Sequence, residues 1–332
     1  MEVERPMEQD PPVSSASLEA PPAGAVLGVG IAALDIVNLV AEYPAEDAEV
    51  RALGQRIARG GNAANTLDVL TQLGRSCNWV GTLADDWGAD FIAADLDARG
   101  IDRRYALYIP DGATPTSYIT LSRATGSRTI VHHRDLPELT AADFERVPLV
   151  DCAWAHFEGR NPAETARMIA RVRRERPDVP VSVEIEKPRP GGVQALLTEA
   201  DVLIFARAYA QAVLGDLGAD PPRCLKRLAA GTDAQLCLLP WGADGAYGLA
   251  AGAAEPVFSP AHPPAVLRDS IAAGDVFNAA SVDGLLEVGL VAACSDAGLD
   301  ALLGRANCLA GHKCGRDGLD GLVDSARAAG LA

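Results

Sequence analysis

What the chain lacks narrows the field first. No apolar run approaches the roughly 20 residues a helix needs to span a bilayer. The opening MEVERPMEQDPPVSSASLEAPPAG has no basic start and no apolar core, so it does not read as a secretory signal. It is acidic and rich in Pro and Ser, and residues 1–24 are expected to form a disordered tail. No Cys-x-x-Cys pair occurs among the seven scattered cysteines, 77, 152, 224, 237, 294, 308 and 314. A zinc site is therefore not expected, and reduced thiols of a cytoplasmic protein are the default. A basic excess is also missing: 29 Lys and Arg face 45 Asp and Glu, for a net charge of −16. That argues against nucleic acid or an anionic membrane as the main partner. It leaves room for an anionic nucleotide, which needs only a local amide-lined or cationic pocket. No internal repeat is present.

A dinucleotide-binding fingerprint is incomplete as well. Val26 to Ala33, VLGVGIAA, carries Gly28 and Gly30 on a buried-strand pattern, but the third glycine and the following helix are absent. The alternation after Ile36 reads as more strand instead, with Asp35 delivered at the end of the first one.

What is present is a large apolar fraction, 48% of 332 residues, enough for a sizeable core. From about 150 onward the pattern is regular. Strands at 152–157, 180–185, 201–205 and 235–239 alternate with helices at 162–175, 191–198, 207–214 and 221–230. Such alternation predicts a parallel sheet covered by helices on both faces. The first half interrupts this pattern with extra strands at 36–43, 50–58 and a hairpin near 105–133, expected to form a small separate sheet. Binding sites of open parallel sheets lie at the carboxyl ends of strands, where Asp35, Glu158, Glu184, Glu186 and Trp241 fall.

Two stretches carry chemistry. In Asp269–Gly289, Ala272-Ala273-Gly274 permit close backbone approach and Asp275 follows at once. Phe277, Ala280, Ser281, Gly284, Leu285 and Val288 then recur at buried-helix spacing. Asp275 is thus expected at a helix N-terminus, where free N–H groups hold an anion and a carboxylate can take a proton from an attacking hydroxyl. The competing reading makes Asp275 a plain N-cap in a tight turn. In the second stretch, Arg59-Gly60-Gly61-Asn62 opens a helix that Gly74 ends. Asn62 and Asn65 then project to one side, with Asn62 also a possible N-cap.

RGGNAAN at 59–65 and DSIAAGD at 269–275 resemble the two signatures of the ribokinase-like (PfkB) sugar kinases. Further segments in the same order, among them RGGNAANTLDVLTQLG, HFEGRNPAE, VSVEIEKPR and ANCLAGHKCG, are similar to its ketohexokinase branch. The resemblance spans nearly all of 25–325. It implies an α/β/α sandwich over 25–332 with a mainly parallel central sheet. A lid of strands, the β-clasp, would be inserted at about 36–59 and 105–133 and would pair two subunits into a homodimer. It implies an ATP-dependent kinase that phosphorylates the 1-hydroxyl of a ketohexose, fructose to fructose 1-phosphate. Another sugar or modified ketose, or a silent sugar-binding homologue, stands as the alternative.

By the same resemblance, Asp35, Gly61, Asn62 and Asn65 bind ketose hydroxyls, and Asp275 is the base. Ala272, Ala273 and Gly274 form the anion hole. Arg128, the loop Trp241-Gly242-Ala243-Asp244-Gly245 and Cys308 lie along the nucleotide. Mg²⁺ would bridge its phosphates, largely through water, with K⁺ a further candidate and no direct metal ligand assigned. Three departures stand out. Ala272 replaces the family's first anion-hole glycine, where a positive φ would be strained. Ala206-Arg-Ala-Tyr209 stands where many relatives carry Asn-x-x-Glu. Gly242-Ala243-Asp244 is less acidic than the loop it resembles. Read without the resemblance, Cys308 and Trp241 are core residues, and Arg171, Arg173, Arg174 and Arg176 are a solvated helix end.

Overall fold

The computed structural model describes residues 24–331; the expected tail lies outside them except for Gly24. Nine strands form one sheet. Its order is Val257–Pro260, Gly245–Ala250, Leu236–Pro240, Val202–Phe205, Val181–Ile185, Cys152–Glu158, Ala25–Val29, Cys77–Val80 and Ile101–Asp102. The pairings are parallel from Leu236–Pro240 to Ile101–Asp102 and antiparallel among the first three strands. Runs such as VLIF at 202–205 are buried at every position, because helices cover both faces. One face packs Leu67, Leu70, Val276, Phe277 and Leu303. The other packs Phe144, Phe157, Ile169 and Leu225.

A second sheet stands apart, in the order Gly54–Gly60, Ala33–Val40, Ala113–Ser122, Arg128–Asp135. It encloses a small core of Val37, Ile119 and Leu121, with Ile271 of the main body packed against it. The strand limits differ from those read in the sequence. The first central strand stops at Val29, and the lid begins already at Ala33. Asp35 therefore does not end a central strand; it sits on the lid, opposite Ala58 and Ser117. The apolar run VLGVGIAALDIV hid this break because both of its strands are largely buried. Gly30 lies at the bend, where a Cβ would meet the Glu158 carboxyl at 2.6 Å. Leu107–Ile109, read as part of the lid, pairs instead with Thr82–Ala84 in a separate two-stranded sheet.

Other details also differ. Val288 is 56% exposed and leaves the buried stripe of its helix. Arg171 is not solvated: its side chain is buried and donates to the carbonyls of Phe144 and Val147. Two short helices, Leu290–Ala293 and Leu322–Ala328, were not anticipated.

Candidate active site

The helix Asn62–Gln72 starts directly under the lid. Gly61 is its N-cap at φ 105°, a conformation that suits glycine, and a Cβ there would strike the Ile31 carbonyl. Asn62 is not the cap but the first helical residue. Its amide donates to Glu184 Oε2 at 3.0 Å. One turn on, Asn65 Nδ2 donates to Asp275 Oδ2 at 2.7 Å. The two asparagines thus reach two carboxylates on elements more than 100 residues away. The Ala63 amide donates to Glu158 Oε1 at 2.7 Å, which adds a third carboxylate to the same helix end.

Asp275 is the third residue of the helix Ala273–Val288. Ala272 is the N-cap, and no side chain caps this helix, so Asp275 does not serve as an N-cap. The helix geometry leaves the amides of Gly274 and Asp275 without intrahelical partners, beside the carboxylate. Ala272 adopts φ 63°, ψ 9°, the left-handed region, at a cost of about 1–2 kcal/mol for a residue with a Cβ. A strain of this size persists only where the surrounding structure dictates the turn.

Burial raises the pKa of Asp275, and the charges of Glu158, Glu186 and Asp35 add to it. The Asn65 hydrogen bond works the other way, and the outcome is about 7. Burial, reinforced by the Asp275 charge, lifts Glu184 well above the usual carboxylate range. Glu158 and Asp35 are raised for the same first reason; the Ser117 hydroxyl and the charges of Arg59 and Arg56 moderate the effect on Asp35. Such a cluster of buried carboxylates with raised pKa values marks a candidate functional site. Hydroxyl groups of a polyol are donors suited to it.

Sequence reading missed what orients these groups. Arg59 is buried and donates from Nη1 to Asn65 Oδ1 at 2.8 Å. Its Nε and Nη2 are held by Asp95 at 2.6 Å and Asp68 at 2.9 Å. With its oxygen so engaged, the Asn65 amide is turned to present its NH₂ to Asp275. The only signal in the sequence was an arginine immediately before the glycine pair.

The remaining expected residues lie on three separate elements. Arg128 reaches from the lid to Ser270 Oγ at 2.8 Å, just ahead of Ala272. Trp241 is buried, with the Arg207 guanidinium 5.1 Å from its ring centroid, so its ring is packed as that of a core residue. Gly242-Ala243-Asp244 forms a single exposed 3₁₀ turn, closed by Trp241 N–H donating to Gly245 O at 2.7 Å. Gly245 lies at φ 129°, and any Cβ would collide with the Ser259 carbonyl. On the helix Asp296–Cys314, Gly311 lies so close to His262 that a Cβ would strike its carbonyl, and Asn307 Nδ2 donates to the Ser259 and Pro260 carbonyls. Cys308, one turn after Gly304, is half-buried on that side. Among the described residues, no group of three or more His, Cys, Asp or Glu side chains is arranged to hold a metal ion. No described helix is long and apolar enough to cross a membrane.

Comparison with known proteins agrees with this fold. The model of the pfkB family of carbohydrate kinases matches residues 25–324. Ketohexokinase from Mus musculus is 37% identical over 308 residues, covering 90% of this chain and 98% of the relative. Among solved structures, ribokinase from Giardia lamblia superposes with a TM-score of 0.76 at 15% identity, covering 92% of this chain and 99% of its own. Arabidopsis thaliana ribokinase complexed with ribose and ATP gives 0.69 at 20% identity, covering 90% and 94%. Identities this low establish a ribokinase-like fold and nothing finer, but the family match over most of the sequence goes further. The chain belongs to the pfkB family of carbohydrate kinases.

Proposed function

We propose that the protein transfers the γ-phosphoryl group of ATP to the 1-hydroxyl of a ketohexose, converting fructose to fructose 1-phosphate. The observation that carries this is the pairing of Asp275 and Asn65 at the mouth of a helix N-terminus. Phosphoryl transfer asks for little covalent chemistry beyond positioning, a base and charge stabilisation. Asp275 takes the proton of the attacking hydroxyl. The amides of Gly274 and Asp275, with Arg128 beside them, receive the charge that develops on the transferred group. Asp35, Gly61, Asn62 and Asn65 hold the sugar. The small turn 242–245 and the face of Cys308 flank the adenine, where glycines keep side chains out of the groove. Mg²⁺ would arrive with the nucleotide, since no cluster of three or more metal-ligating side chains occurs among the described residues, and it would neutralise phosphate charge. The ketohexokinase relative supports fructose as the acceptor.

A coupled ADP-release assay with fructose, tagatose, ribose and adenosine tests the assignment. Fructose is expected to give the highest kcat/KM. Sugar binding without turnover of any acceptor would replace the kinase with a silent sugar-binding homologue.

The lid also supports a homodimer. Ile57, Ile36, Tyr118 and Val131 line up across its four strands on one face. Tyr118 is 52% and Val131 66% exposed. An apolar row on a free sheet face is a contact surface in waiting. Light scattering is expected to give twice the chain mass of 34.6 kDa, and the double change Tyr118→Asp, Val131→Asp to halve it. A monomer at tens of micromolar from the unaltered chain would remove the dimer.

A further inference from the structure

Four cationic side chains meet where the lid faces the strand ends, and the phosphoryl-transfer roles above use none of them. Arg134 comes from the lid strand Arg128–Asp135. Arg160 follows the strand Cys152–Glu158, and Lys187 and Arg189 follow Val181–Ile185. Arg134 Nη1 and Arg160 Nε share one oxygen of Glu138, at 2.7 and 3.0 Å. Lys187 and Arg189 share one oxygen of Glu186, at 3.5 and 3.3 Å. The third carboxylate, Glu158, is 3.8 Å from Arg160 and is pushed by burial towards its neutral form. Cations therefore outnumber carboxylates here, in a chain whose net charge is −16.

The arginines are also incompletely used. Each is largely buried, with side-chain exposures of 16–17%. Arg134 Nη2 and Arg189 Nε are buried donors without a hydrogen-bond partner. An unpaired buried donor costs free energy, and more so on a charged group. Three guanidinium groups held close, with donor positions to spare, match the fork geometry of an oxyanion. The cluster also adjoins the acceptor pocket. Glu158 and Glu186, its own ion-pair partners, are among the charges felt by Asp275.

We propose that Arg134, Arg160 and Arg189 form an anion subsite at the outer end of the acceptor pocket, which takes a phosphate or carboxylate group remote from the hydroxyl being phosphorylated. Its place relative to the acceptor rests on the kinase reading above; its affinity for an oxyanion does not. Two sources share this chemistry: an acidic group carried by the acceptor, and a free small anion that occupies the mouth in place of part of the sugar.

Calorimetric titration at constant ionic strength and without ATP separates these cases. The probes are inorganic phosphate, fructose and fructose 6-phosphate, on the full chain and on Arg134→Gln and Arg189→Gln, with thermal melts to confirm that each variant is folded. If the anion rides on the acceptor, fructose 6-phosphate binds at least tenfold more tightly than fructose, and either variant erases most of that advantage. If the anion is free, inorganic phosphate binds in the millimolar range or better, displaces fructose, and weakens at least fivefold in both variants. Arg134→Lys and Arg189→Lys keep the charge but lose the fork, and are expected to recover only part of the binding. The subsite is overturned if no phosphate-bearing probe binds better than its neutral counterpart. Equal binding of phosphate by the variants and the parent also overturns it, since the anion then lies elsewhere, as at the helix N-terminus near Asp275. Neither result depends on turnover, so a failed kinase assay leaves this test standing.

Discussion

Asp275→Asn is expected to lower kcat by about 10²–10⁴-fold while acceptor binding changes by only a few-fold. A positioned base contributes a factor of this size, and asparagine keeps the shape and much of the hydrogen bonding of the site. The parent should show kcat/KM for the acceptor rising with pH up to an inflection near 7 and level above it. That follows because the carboxyl is held at about 7 by burial and by the charges of Glu158, Glu186 and Asp35, and only its ionised form accepts a proton. The same shift makes an opposite prediction for stability. The pKa values of Asp275 and Glu184 are raised in the folded chain. Folding is therefore favoured by both groups at low pH, below the ordinary carboxylate range, and the Asp275 contribution is lost as pH rises through 7. Asparagine cannot ionise, so the variant should be more stable than the parent at pH 8, by a few kcal/mol, with the difference gone near pH 3. Chemical denaturation at the two pH values reads this directly. A variant that retains parental turnover is incompatible with Asp275 as the base. A variant less stable at pH 8 would mean that the buried carboxylate is not under electrostatic stress.

Lys313→Met should produce the largest loss of stability. Lys313 and Asp269 are both completely buried and lie 2.9 Å apart. Lys313 also donates to the Asp269 carbonyl at 2.8 Å, and Asp269 receives Arg56 at 2.7 Å and the Ile271 amide at 2.8 Å. This knot ties the end of the helix Asp296–Cys314 to the segment that leads into Ala272 and Asp275. Burial works against the charge on either partner. Even so, Lys313, Arg56 and the Ile271 amide hold Asp269 below its usual pKa, and burial pushes Lys313 down against the pull of Asp269. Removing the ammonium leaves Asp269 with the part-exposed Arg56 as its counter-charge, at a cost of up to about 3–5 kcal/mol. In a domain of this size that lowers Tm on the order of 10 °C. Adding Asp269→Asn to Lys313→Met should restore part of the loss, because two neutral groups need no counter-charge. An unchanged melting temperature for Lys313→Met would show that the ammonium is not needed there. Turnover should fall alongside stability, since the loop that carries Ala272 is anchored by the same contacts.

Much of the architecture was legible in the residues. Alternating apolar segments from 150 onward announce a parallel sheet, because strands covered on both faces must be apolar throughout. Asp275 at a helix start, and Asn62 and Asn65 one turn apart, followed from spacing alone, since helical geometry is local. The strand break at Gly30 was not legible, because a run of small apolar residues satisfies both a core strand and the root of a lid. Arg171 was misread as solvated, because its partners are backbone carbonyls of residues 144 and 147, which no side-chain pattern announces.

The sequence by itself determined the elements, their order and the acidic and amide groups available for phosphoryl transfer, because each depends on residues within a few turns of one another. Only the tertiary structure decided what those groups experience. Asn65 meets Asp275 across 210 residues, Lys313 meets Asp269 across 44, and the three arginines come from the lid and two different strand ends. Burial and the charges of distant neighbours set a carboxyl's affinity for its proton, and both arise only when the chain closes on itself.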